Sequence, residues 1–259
     1  MERYKAAFVA VRQDPQWKRK VVYAALITLI PYLGLVWVWG WQMQYQRSVA
    51  WGSDRHLPEW SDFGRQAVLG LSAYVAILPY SLALSVVIMP VLVIVPTLAL
   101  VTGGPTQVPG WLYPSVALGT FLVVLAGSML IFPLTASVTV RIALHGTLES
   151  GFQVKEIWRL MRQSKDELLR VWGYTTLNMA VSMGVMILLM GSVATGIVLA
   201  VGSSVGGLAI PLLVLGRPLA YCVSVGLSAY LGIVNSHYLG SYGRVAYGLG
   251  EPPAETAPV

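Results

Sequence analysis

Two histidines, one cluster of acids and two asparagines are the residues of this 259-residue chain whose types and places can support chemistry. His145 follows Arg141 by one helical turn, and His237 ends a later apolar segment. Paired histidines on facing helices can ligate haem, chlorophyll or a metal. Neither lies in a recognisable ligand motif, and hydrogen bonding at an interface is the competing reading for both. Asp54, Glu59 and Asp62 bring three of the 11 acids close to Arg47, Arg55 and Arg65. Glu59 or Asp62 can serve as an acid or base; a salt-bridged clasp between a hairpin formed by the first apolar segment and the second apolar segment is the stronger expectation. Asn178 and Asn235 are the best buried polar candidates, and both are expected to bond between helices. No GxSxG, HExxH or paired catalytic carboxylate occurs, and Gly202 to Gly207 lacks the lysine and strand context of a phosphate loop.

The elements that must position these residues are set by where charge is missing. Gln66 to Val140 and Val171 to Gly243 contain a single charged residue, Arg217. Soluble domains carry about a quarter charged residues, so these runs predict a membrane protein. With 56% hydrophobic residues and a mean hydropathy of +0.68, the chain has material for four to six spans of about 20 residues. Backbone amides in hydrocarbon must be satisfied within their own segment, so the spans are expected to be helices. The net charge of +6 reports orientation, and nucleic acid is not an expected partner. The lone Cys222 sits in an apolar run and reads as a packing residue. No cleaved signal peptide is evident in Met1 to Lys20.

The pattern predicts an all-α polytopic membrane helix bundle. Spans are expected over about 67–101, 112–140, 165–200 and 218–239, within one membrane domain, 1–250, followed by a proline-rich tail, 251–259. Sixteen of the 17 Lys and Arg fit one side of the bilayer by the positive-inside rule, with only Arg217 outside the pattern. This holds if the apolar segment at 21–41 does not cross, because basic residues flank it on both ends. Pro31-Tyr32-Leu33-Gly34 supplies a turn. A re-entrant helical hairpin over about 15–51 is therefore expected, entering and leaving on the cytoplasmic side with its turn buried against protein. Five or six spans are the alternative, with 21–41 a normal span and 67–101 split in two.

Local signals add detail. Asp14-Pro15 reads as an N-cap before the hairpin, Ser164 to Glu167 as a capping box, and Pro218 as a first-turn proline. Residues 152–163 read as an interfacial amphipathic helix: Phe152, Val154, Ile157, Trp158 and Met161 form the apolar face, and Lys155, Glu156, Arg159 and Arg162 the polar one. Docking a partner is its alternative role. Gly184, Gly191, Gly196, Gly226, Ser228 and Gly232 are expected to let the last two spans approach closely. Tryptophans and tyrosines at segment ends mark membrane borders.

Several of these residues resemble an uncharacterised prokaryotic membrane family, domain-of-unknown-function family 4013. The likeness rests on Pro31 to Gly34, Gly40-Trp41, Arg47, Leu57-Pro58-Glu59-Trp60-Ser61-Asp62 and Gly70. It continues through Ala143 to Phe152 and His237 to Gly248, covering most of residues 12–250. Gly40-Trp41 departs from the expected glycine-tyrosine. The resemblance implies an integral membrane protein and brings no catalytic residues.

The leading expectation is a non-enzymatic scaffold or accessory subunit of a larger membrane complex in a prokaryotic plasma membrane, with both termini cytoplasmic. Its partner-facing candidates are Leu57, Pro58, Glu59, Trp60, Asp62, Trp158, Arg159 and Arg162. A small-molecule or lipid permease is the alternative. A pigment- or haem-binding subunit using His145 and His237 is the third reading. No cofactor is otherwise expected, and the partners are lipid and protein.

Overall fold

A computed structural model of the chain describes residues 2–53, 56–101, 112–201 and 215–249. The fold is all-α. Eight α-helices follow in order among these residues: α1 (Glu2–Gln13), α2 (Trp17–Thr28), α3 (Leu33–Ala50), α4 (Phe63–Val101), α5 (Leu112–His145), α6 (Val154–Gln163), α7 (Lys165–Val201) and α8 (Arg217–Tyr247). A short 3-10 turn, Glu149–Phe152, precedes α6. Asp54, Arg55, the connectors 102–111 and 202–214, with its Gly202 to Gly207 run, and the tail 251–259 lie outside the described residues.

The polar N-terminus is helical, which the sequence reading did not anticipate. Pro15 then interrupts the chain between α1 and α2, since it cannot donate to a continuing helix. The segment expected to turn at Pro31 does turn there. Tyr32 takes φ +60°, and α3 begins at the next residue. Both legs return to one loop: Lys20 near the start of α2 bonds Leu57, and Trp41 in α3 bonds Pro58. At 12 residues, α2 is about 18 Å long, too short to cross a hydrocarbon core of about 30 Å.

The tip differs from expectation in its surroundings. Instead of lying against protein, Tyr32 is 86% exposed and Leu33 60%, with Leu26, Ile30 and Leu35 also open. Its backbone is satisfied locally, for Ile30 N–H donates to Ile27 O and Gly34 N–H to Ile30 O. A self-satisfied turn with apolar side chains can face lipid without help from a neighbour.

The 67–101 run is one helix, α4, unbroken through Pro79, Pro90 and Pro96. It starts at Phe63, where Asp62 Oδ1 accepts the N–H of Arg65. The other long helices also outrun their predicted limits: α5 continues to His145 through Pro133, and α8 continues to Tyr247. Two stretches among the described residues, Phe63–Ala83 and Pro218–Tyr247, are long and apolar enough to cross a bilayer.

The second hairpin leg is central to the bundle. It packs against α4, α5, α8 and α2, while α7 lies along α8. Its face Val38, Trp41, Tyr45 and Val49 enters a core with Val140, Ile233, Val234, Tyr238 and Tyr242. Met43 joins a second cluster with Leu69, Ala73, Ala76, Val138, Ile142 and Ile157. Close approach comes from glycines on α3, α4 and α8. A Cβ on Gly40 would stand 1.7 Å from Gln66 O, and one on Gly70 1.9 Å from Val36 O. On α8, Gly240 faces Val49 and the Gln46 carbonyl. Gly184 and Gly226, expected to serve this purpose between the last spans, face open space, and Gly232 meets Gln42 of α3 instead. Sequence alone gives the positions of the glycines, and only the packing shows which of them have a close neighbour.

Candidate functional site

The described charged end is organised around one buried ion pair. Pro15 lies between α1 and α2, and in this turn Asp14 Oδ1 accepts Gln16 N–H at 2.7 Å. Its Oδ2 accepts Leu57 N–H at 2.8 Å and Lys20 Nζ at 3.0 Å. Lys20 Nζ also donates to Leu57 O at 2.6 Å and pairs with Glu59 Oε1 at 2.7 Å. An ammonium has three protons to donate, and here each has an acceptor. That matters because Lys20 is only 4% exposed and Asp14 2%. An unpaired charge at this depth costs several kcal/mol. Burial acts to raise the Asp14 carboxyl, but Lys20 and the N–H groups of Gln16 and Leu57 outweigh it and hold the group below the usual carboxylate range.

Aromatic contacts complete the clasp. Trp60 stacks on Trp41 with centroids 4.6 Å apart and planes 12° from parallel. Trp41 Nε1 donates to Pro58 O at 2.9 Å, and Trp60 Nε1 donates to Lys20 O at 3.3 Å. Gln66 Nε2 of α4 donates to Glu59 O at 3.0 Å. The loop from Leu57 to Asp62 thus joins α2, α3 and α4. Leu57 is buried, Pro58 and Trp60 are half-buried, and Glu59 and Asp62 are exposed. Among the described residues the clasp cation is Lys20 rather than Arg47 or Arg65, and Asp14 is its buried counter-ion; the N-cap of α2 is Gln16, without a side-chain bond, so Asp14 is not the helix cap expected from sequence. The missed signal is a lysine directly before an apolar run, six residues after an aspartate, a spacing that no single helix face suggests.

A second hub lies under α6. Arg141, 5% exposed, donates from Nε to Ser150 O at 3.0 Å, from Nη1 to Tyr247 Oη at 3.2 Å, and from Nη2 to Gln153 Oε1. This one side chain ties α5 to the 3-10 turn and to the end of α8. On α6, Ile157 and Leu160 are buried against the bundle, while Val154 is 58% and Trp158 51% exposed. The apolar face expected for one membrane-lying surface is therefore divided between bundle and outside. Arg162 covers the Trp158 ring at 5.2 Å, and Arg159 pairs with Glu156.

The histidines are separated. The exposed His145 ring lies 5.9 Å from Tyr247, which is ten residues beyond His237 on α8, about 15 Å along the axis. His237 is buried, its Nδ1 3.3 Å from Tyr45 Oη. Among the described residues, no three His, Cys, Asp or Glu converge as a metal site. The asparagines do meet: Asn178 Nδ2 donates to Asn235 Oδ1 at 2.7 Å, and Tyr4 Oη donates to Asn178 Oδ1 at 2.8 Å. Just beyond them, Ser182 and Ser228 share a 2.7 Å bond beside a groove of about 220 Å³ that Met179, Met183 and Leu231 also line. Asn178→Leu should loosen α1, costing about 1 kcal/mol. Faster tryptic cleavage at Lys5 and Arg12 is the readout, and an unchanged rate would refute the tie.

A family model described as protein of unknown function (DUF4013) matches residues 23–191, more than half of the chain. No curated protein and no solved structure matches it.

Proposed function

The chain belongs to the DUF4013 family, and from that premise we propose that it is a non-enzymatic scaffold or accessory subunit of a membrane protein complex. It has four spans, α4, α5, α7 and α8, of 39, 34, 37 and 31 residues, each longer than the roughly 20 a bilayer requires. The hairpin α2–α3 is re-entrant, with its apolar tip in lipid and both ends in the cytoplasmic layer of a plasma membrane. Both termini share that side, where the basic residues concentrate.

The observation that carries the reading is the outer stripe of α6. Val154 and Trp158 stand exposed on a helix held rigid by Ile157, Leu160 and the Arg141 hub. Exposed tryptophan beside arginine is the composition of a protein contact. The Leu57 to Asp62 loop joins α2, α3 and α4 elsewhere in the same layer. The test is purification from the native membrane in mild detergent, with quantitative mass spectrometry of co-purifying chains. Trp158→Ala and deletion of 250–259 should each lower recovery of at least one specific partner several-fold. Unchanged recovery of every partner contradicts the proposal.

A permease is the second reading, favoured by the groove beside Asn178 and Ser228. Its amides bond one another and Tyr4, leaving little polar capacity for a solute. Solute uptake by vesicles containing the purified chain separates the two readings. For the haem or pigment reading, the separation of His145 from His237 offers no shared ligand geometry, and visible absorption bands from purified protein would revive it.

A further inference from the structure

We propose that Arg47 and Arg65 form a phosphate-binding site at the rim of the charged layer, suited to the phosphate of an anionic lipid headgroup. The proposal starts from the fixed register of α3 and α4. Gly40 lies against Gln66 and Gly70, and Gln66 Nε2 reaches Gln44 Oε1 at 3.4 Å. Arg47 follows Gln44 by about one turn, and Arg65 immediately precedes Gln66. The two cations are close enough to repel each other.

Several other buried or half-buried cations in the layer have protein acceptors or partners. Lys20 has Asp14, Glu59 and Leu57 O; Arg141 has Ser150, Gln153 and Tyr247; Arg170 has Glu167; and Arg244 donates to Val49 O. Among the described residues the Arg47 side chain has no hydrogen bond or ion pair, and its Nε is shielded from solvent without an acceptor. The neighbouring acid, Asp62, directs Oδ1 to the Arg65 backbone instead. A half-buried guanidinium facing a like charge is unfavourable unless an anion joins them.

Phosphate suits this pair of guanidinium groups by geometry as well as charge. Its several oxygens can accept from two planar guanidinium groups at once, an arrangement that lysine ammonium groups match poorly. Phe63 is exposed at the start of α4 and packs edge-on against Trp37, placing an apolar surface beside the polar rim. An aromatic border next to a cation pair fits the headgroup level of a bilayer.

The experiment uses the full chain in phosphatidylcholine nanodiscs containing a minor fraction of phosphatidic acid. Native mass spectrometry then counts retained lipid. Wild type should retain phosphatidic acid in preference to phosphatidylcholine. Arg65→Gln and Arg47→Gln should each reduce that preference about tenfold, the equivalent of one charge-assisted contact. Arg170→Gln, at an exposed ion pair elsewhere, should retain it. Arg65 is exposed, so its variant carries the test alone if Arg47→Gln does not fold. A second arm adds inorganic phosphate, against chloride at equal ionic strength, to delipidated protein in neutral detergent. A rise in Tm that Arg65→Gln abolishes, without lipid preference in the first arm, assigns the site to free phosphate. Unchanged lipid preference in both variants, or no response in either arm, overturns the proposal.

Discussion

Gly40→Ala is expected to be among the most damaging single-methyl changes in the described fold. The added carbon would lie 1.7 Å from Gln66 O, 2.6 Å from its carbonyl carbon and 2.9 Å from Gly70 N. These are backbone atoms on α4, so no side-chain rotation relieves the clash. The helices must separate, which disrupts the Trp41 and Met43 packing along α3 and pulls on the Gln66 bond to Glu59. Overpacking a close-fitted core costs about 1–3 kcal/mol, more when backbone must move. The expected loss is about 3 kcal/mol, read as a lower Tm of the detergent-purified protein. Gly64→Ala, with nothing within 4 Å, should change Tm little. Equal effects at the two positions would mean that α3 and α4 do not pack at this distance.

Lys20→Met should be comparably severe for a different reason. Removing the ammonium leaves the Asp14 carboxylate buried with only two backbone donors, and breaking a buried pair costs about 3–5 kcal/mol. Glu59, which is exposed, returns to water without penalty. Replacing both charges, Asp14→Leu with Lys20→Met, should be milder than the sum of the two single changes, because no uncompensated charge remains. Additive losses would contradict the clasp. Acid should mimic the rupture. The folded Asp14 carboxyl lies below its unfolded value of about 3.9, so its contribution is fully present above that pH and fades as pH falls through the lower folded value. Near-ultraviolet circular dichroism of the Trp41–Trp60 stack should therefore hold steady from about pH 8 to pH 5 and collapse below about pH 4. A transition near neutrality would assign the signal to another group.

What could be read from sequence was the distribution of charge and the punctuation by proline. The empty runs gave the long helices, and Pro31 beside Gly34 gave the turn, because these signals are local. The helix ends were less legible. Both α5 and α8 continue past the last apolar residues, since Arg141 and Arg244 find acceptors within the protein and need not mark a boundary. The clasp was anticipated as a salt-bridged join, and Glu59 does take part, but its described cation is Lys20 and its buried acid is Asp14. Asp14 and Lys20 converge only because Pro15 breaks the helix between them and Leu57 folds back over both. The same limit applied to α6, whose face divides into bundle-facing Ile157 and outward Trp158 only after Arg141 sets its height against α5. Tertiary choices of this kind leave no periodicity in one sequence.

The central claim is that the hairpin returns to its starting side, so that α1, the Leu57 to Asp62 loop and α6 share one charged layer. Single cysteines introduced as Lys5→Cys, Ser61→Cys, Lys155→Cys and Thr106→Cys, each with Cys222→Ser, can be labelled by a membrane-impermeant maleimide in sealed vesicles of both orientations. Lys5, Ser61 and Lys155 positions should label together in inside-out vesicles, and the Thr106 position only in right-side-out ones. Labelling of the Lys5 and Ser61 positions from opposite sides would show that the first apolar segment crosses the membrane, and would contradict the account.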